Sequence, residues 1–144
     1  MAEARAWMAK AAITEPITRD AARNGAAGRG APAAPHTDDG RMIRPTALDD
    51  VIVAHAAIVA AFGAHPRRVA RHIIASALVT LNHDSAARAS SQMPPVTGVA
   101  EGDAVPHLSA TPPLIGTYHD RLVFTDRGWR FAERRGRLDL RAPQ

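Results

Sequence analysis

The 144-residue sequence has no cysteine, which excludes a disulfide framework, a thiolate nucleophile and a cysteine-type zinc site. Aromatic residues make up only 4% of the chain. Each of Trp7, Phe62, Tyr118, Phe124, Trp129 and Phe131 therefore carries weight in any core. Lysine is almost missing: Lys10 is the only one, so the net charge of +4 comes from arginine. Arginine stays charged to high pH and favours forked contacts with carboxylates and phosphates. The excess is small and spread along the chain without a dense basic block, so nucleic acid is not the expected partner. No apolar run approaches the ~18 residues that a membrane span needs. The opening MAEARAWMAKAAI has no long apolar region of the secretory type, so the expected setting is the cytoplasm.

What is present reads as one domain. Residues 2–12 form an alanine-rich helix anchored by Trp7, and Pro16 interrupts its pattern. Residues 24–40, NGAAGRGAPAAPHTDDG, have the Gly, Ala and Pro content of a flexible linker. This divides the chain into a helix and linker over 1–44 and a folded domain over 45–144. Residues 45–66 show Leu48, Val51, Ile52, His55, Ile58, Val59 and Phe62 at helical spacing, with Thr46 as N-cap and Gly63 and Pro66 as the stop. His55, inside that stripe, reads as a core-edge histidine. Strands are expected over 68–81 and 86–93, followed by an irregular connection over 94–113 with five prolines. The segment GTYHDRLVFTDRGWRFAERRGRL, residues 116–138, is a hairpin turning at Thr125-Asp126-Arg127-Gly128. A three-residue loop with Gly128 at positive φ pairs Val123 with Phe131, Arg121 with Glu133, Asp120 with Arg134 and His119 with Arg135. A two-residue loop instead sets Phe124 beside Trp129 and Leu122 beside Phe131; the charge pairing favours the first register. Both faces mix polar and apolar groups, as in a sheet packed on helices inside and on a second subunit outside. The outline is α+β, with four mainly antiparallel strands packed on N-terminal helices.

These residues resemble the SnoaL-like family of the nuclear-transport-factor-2-like superfamily. Gly116, Tyr118, Asp120, Leu122, Gly128, Trp129, Arg134 and Arg135 match its closing hairpin, and Arg71-His72 its first long strand. The resemblance covers about residues 46–140. It implies a cone-shaped curved sheet around an apolar pocket, here an incomplete version of the fold, because no Tyr-, Arg- and Asp-rich first helix is recognised. It implies a cofactor-free dehydratase or isomerase with His72 as general base on an apolar cyclic or polyketide-like substrate. Tyr118, Asp120, Arg134 and Phe62 then meet the substrate. Asp120 with Arg134 reads equally as a cross-strand ion pair. His36, His65, His83 and His107 show no metal-ligand spacing, so neither metal nor cofactor is expected. The alternative within the same fold is a non-catalytic ligand-binding or scaffold subunit, and a homodimer through the outer sheet face is expected in either case. A basic nucleic-acid binder is the third reading, recognisable by a continuous arginine stripe.

Overall fold

A computed structural model describes residues 2–25, 35–64, 69–102 and 104–141. The first described element is helix α1, Ala2–Gly25, which continues past Pro16. An interior proline costs a helix about 3 kcal/mol. Ile13 and Ile17 are fully buried on either side of it. At about 1.5–3 kcal/mol per buried side chain, their packing offsets the proline. The sequence reading ended this helix too early because it weighed the proline without the tertiary contacts.

Strands β1 (His36–Arg44) and β2 (Ala47–Val53) follow, joined by a turn at Pro45-Thr46. This corrects the expected helix over 45–66. Thr46 is a turn residue and not an N-cap, and the helix proper is the shorter α2, His55–Gly63. The β-branched run Val51-Ile52-Val53 pairs with β1, and Arg44 bridges to Asp50. Strand alternation followed by a helix had mimicked one helical stripe. Ala54, at φ 78°, makes the break between them, and its N–H donates to the Gly40 carbonyl at 2.9 Å. The core of the expected linker, 26–34, and the Pro66 stop and His65 lie outside the described residues. The linker's last five residues, 36–40, are strand.

The strand expected over 68–81 is two strands in different sheets, β3 (Val69–His72) and β4 (Ser76–His83). Then come β5 (Ala86–Gln92), β6 (Pro95–Val99), β7 (His107–Leu108), β8 (Ile115–Thr125) and β9 (Gly128–Leu140). Among the described residues the larger sheet has six strands, not four, ordered β2-β1-β9-β8-β5-β4, and β3-β6-β7 form a smaller one. Of the described strands, only β1 and β9 run parallel; the other neighbours are antiparallel. Helix α1 packs against β3, β4 and β9, and α2 against β1 and β2.

The hairpin adopts both candidate registers in turn. Near the loop Phe124 faces Trp129 and Leu122 faces Phe131; beyond a bulge Arg121 faces Glu133, Asp120 faces Arg134 and His119 faces Arg135. Ala132 is the extra residue. Such a bulge bends and twists the strand. It lets apolar pairs meet near the turn while charge pairs meet beyond it. Gly128 takes φ 86°, as expected, and Thr125 Oγ1 accepts the Arg127 N–H and donates to the Gly128 carbonyl.

Candidate functional site

The inner face of β5 carries Ala87, Ala89 and Ser91, all buried. Their small side chains leave room for Ile13 and Ile17 of α1, which join Ala87, Ala89, Leu122, Trp129 and Phe131 in one core cluster. Past the bulge this apolar face gives way to charge. Arg134 is fully buried, with Asp20 of α1 on one side and Asp120 of β8 on the other. Its Nη1 donates to Asp120 Oδ2 at 3.1 Å, and its Nε faces Asp20 Oδ2 at 3.5 Å, an ionic contact rather than a hydrogen bond. Its Nη2 donates to Met93 Sδ at 3.6 Å. The guanidinium carbon lies 4.3 Å from the Tyr118 ring centroid and 4.6 Å from that of Phe131. Two carboxylates and two aromatic rings surround one buried cation, whose Nε is left without a hydrogen bond.

The charges shape one another. Burial opposes the charge on Arg134, but Asp120, Asp20 and Tyr118 outweigh it and hold its pKa above the ordinary value. Burial raises Asp120 to about 7 against the pull of Arg134, with Asp20 adding to the rise. Burial raises Asp20 as well, against Arg134 and Arg23. Tyr118 is raised by burial, with Arg134 opposing. His72, half-buried on β3, is held below its usual pKa by burial and then by the Arg134 charge, so the imidazole is neutral at pH 7. Its Nδ1 is buried, and among the described residues nothing hydrogen-bonds to it. Asp120 Oδ1 and Ser91 Oγ are buried in the same unengaged state.

Of the five residues expected at the site, Tyr118, Asp120 and Arg134 are in direct contact, and His72 feels the Arg134 charge. Phe62 lies on α2, in a second apolar cluster with Met42 and Ile58, and Tyr118 packs against both clusters. His55 starts α2, half-buried. No carboxylate hydrogen-bonds His72 among the described residues; Asp20 and Asp120 each pair with Arg134 instead. Two hollows, of about 210 and 440 Å³, lie elsewhere. One is between α1 and the β8–β9 turn at Arg19, Arg23 and Trp129, the other beside β6 at Pro95 and Pro112. Neither is lined by any of the five residues.

Asp20 is the residue that sequence reasoning missed. The signal was a carboxylate in the stripe Ile13, Pro16, Ile17, Asp20, Ala21, all buried. It could be seen only by continuing the helix past the proline. Asn24 Nδ2 donates to its Oδ2 at 3.1 Å, one turn on. Met93 carried no sequence signal. Among the described residues no group of histidine and acidic side chains is arranged to hold a metal ion, and no helix is long and apolar enough to cross a membrane.

Comparison with known proteins places this architecture. The model of the SnoaL-like domain matches residues 26–135. A nuclear-transport-factor-2-like protein with a cystatin-like fold from Novosphingobium aromaticivorans superposes with a TM-score of 0.75 at 19% identity, over 96% of this chain and 86% of that one. A Mycobacterium tuberculosis protein of unknown function gives 0.74 at 25% identity, over 94% and 74%. A second Novosphingobium aromaticivorans protein, provisionally assigned as a scytalone dehydratase, gives 0.74 at 16%, over 97% and 89%. No curated protein matches the sequence significantly. With an N-terminal helix laid on a curved, mostly antiparallel sheet and a domain match over most of its length, the chain belongs to the SnoaL-like family.

Proposed function

We propose that the protein is a cofactor-independent lyase or isomerase in which His72 removes a proton from carbon beside a carbonyl. The substrate class is apolar and cyclic or polyketide-like. The observation that supports this reading is the neutral imidazole of His72, whose Nδ1 is buried and unengaged. A neutral imidazole is the form that accepts a proton. In the proposed step the C–H bond breaks and an N–H bond forms on His72. The electron pair moves onto the carbonyl oxygen. Asp120, with its pKa near 7 and a free Oδ1, supplies a proton donor for that oxygen. Arg134 holds Asp120 in place, and Tyr118 and Phe62 provide the apolar wall. As the enol collapses, its O–H proton returns to Asp120 and the carbonyl re-forms, while the His72 proton goes to another carbon, or to a departing β-hydroxyl that leaves as water. The provisional dehydratase assignment of a structural neighbour fits the second outcome.

The test is hydrogen–deuterium exchange at carbon, read by NMR on a panel of cyclic β-hydroxyketones in heavy water. Wild type should accelerate exchange, and His72→Ala should lower the rate by about 10²–10⁴-fold. The melting transition of the variant should stay in place. Equal rates for the two proteins remove His72 from the chemistry.

A second reading has its own support. Arg134, Phe131 and Leu122 are fully buried where the family pocket is expected, and the two hollows lie elsewhere. A filled interior suits a non-catalytic ligand-binding or scaffold subunit. Absence of exchange on every ketone, together with a ligand-induced rise in melting temperature, selects it.

A further inference from the structure

The hollow of about 210 Å³ between α1 and the β8–β9 turn has no part in the chemistry proposed for His72. Among the described residues that line it are four arginines and one acid, Glu15. Arg19 and Arg23 lie one turn apart near the end of α1, so they share one face of the helix. Arg127 and Arg130 come from the other side, at the turn and the start of β9. Arg130 Nη2 donates to the Arg127 carbonyl at 3.3 Å, which draws its guanidinium back toward the turn. Taken singly, three of these groups have ordinary reasons for their places. Arg23 complements the C-terminal end of the helix dipole, Arg19 pairs with Glu15 at 2.6 Å, and Arg127 pairs with Asp38 at 2.9 Å. Together they repel, because four like charges border one small space. The acids do little to cancel them. Glu15 is 58% exposed and Asp38 85%, and ion pairs so open to water contribute little and exchange partners readily.

We propose that this hollow binds a phosphate group, either free or carried on a small molecule. A phosphate brings nearly two negative charges and at least three acceptor oxygens, so guanidinium forks from both walls can engage it at once. A carboxylate has one charge and two oxygens, which a single fork already fills. Size argues in the same direction. Pockets for drug-sized ligands begin at ~300 Å³, and this one is smaller, so it suits a compact group rather than a whole nucleotide. Trp129, buried with its ring centroid 5.5 Å from that of Phe124, forms part of the wall and reports on what enters. The inference is independent of the role given to His72.

The experiment uses a Trp7→Phe background, in which Trp129 is the only tryptophan. Its fluorescence is followed while inorganic phosphate or glycerol phosphate replaces chloride at constant ionic strength, which holds screening fixed. Both should give a saturable change, and the tighter of the two tells whether the phosphate is taken free or on a carrier. Arg19→Gln and Arg127→Gln, one from each wall and both more than half exposed, should each weaken binding about tenfold. Phosphate should also raise the melting temperature of the background protein and leave that of either variant in place, a comparison that holds even where a variant melts lower. Arg5→Gln/Lys10→Gln, which removes two charges from exposed positions of α1 outside the hollow, should bind as the background protein does. An equal loss in that control pair, an unsaturable response, or equal affinity for acetate would show general charge attraction and overturn the proposal. Binding of oligouridine with no binding of either small phosphate would overturn it in favour of nucleic acid.

Discussion

Arg134 concentrates the electrostatics of the core on one side chain. Removing a guanidinium from water is expensive, and removing one partner of a buried pair typically costs about 3–5 kcal/mol. Here two carboxylates share one cation, so the cluster has one acid more than it can neutralise. Burial shifts the excess onto a proton, and Asp120 rises from 3.8 to about 7. The folded protein thus keeps a proton that the unfolded chain releases above pH 4. The sign follows: this contribution to stability is complete below about pH 4 and is lost as pH rises through about 7. Asp20 shifts in the same direction. His72 works the other way. Its pKa is lowered, so its contribution is present above 6.5 and lost in acid. Comparing wild type with Asp120→Asn isolates the first effect. In urea titrations, the stability of wild type relative to the variant should grow as pH falls from 8 to 5. A constant difference would place Asp120 in its ordinary ionised state.

At the scale of elements, the β8–β9 hairpin and the Pro45-Thr46 turn fix the site between them. A Cβ added to Gly136 of β9 would lie 2.6 Å from Pro45 Cδ and 3.0 Å from Tyr118 Cε1. Gly136→Ala should therefore destabilise by about 1–3 kcal/mol and push the Tyr118 ring off Arg134. Urea unfolding reads the first effect. Because Tyr118 is the only tyrosine, its near-ultraviolet band reads the second. A variant as stable as wild type, with an unchanged band, would mean that the turn yields freely. This hairpin was legible in the sequence because turn chemistry, cross-strand charge and apolar pairing all act locally. What the residues did not disclose was that one bulge satisfies both registers. The segment 45–53 was misread because Val51, Ile52 and Val53 suit either period, and only pairing with β1 decides. Asp20 was hidden for the opposite reason: its local signal was a proline, and its actual setting is Arg134, distant in sequence.

At the scale of the whole molecule, the family resemblance was readable from the last strands and one Arg-His pair. The expectation that the first helices were missing was not a property of the fold. Helix α1 supplies both the apolar plug and a buried acid. Ile17→Ala should cost about 2–5 kcal/mol, and loosening the helix should also weaken the Asp20 contact to Arg134. Thermal melts with an environment-sensitive dye would check this. A loss below about 1 kcal/mol would mean that the helix packs only loosely. The strand order carries a temporal consequence. β9, last of the described strands, sits between β1 and β8 near the middle of the larger sheet. On a ribosome, the β1–β2 hairpin and the β4–β5–β8 ribbon must wait as separate pieces until that strand emerges. Closure of the sheet is then a late event, dominated by contacts distant along the chain.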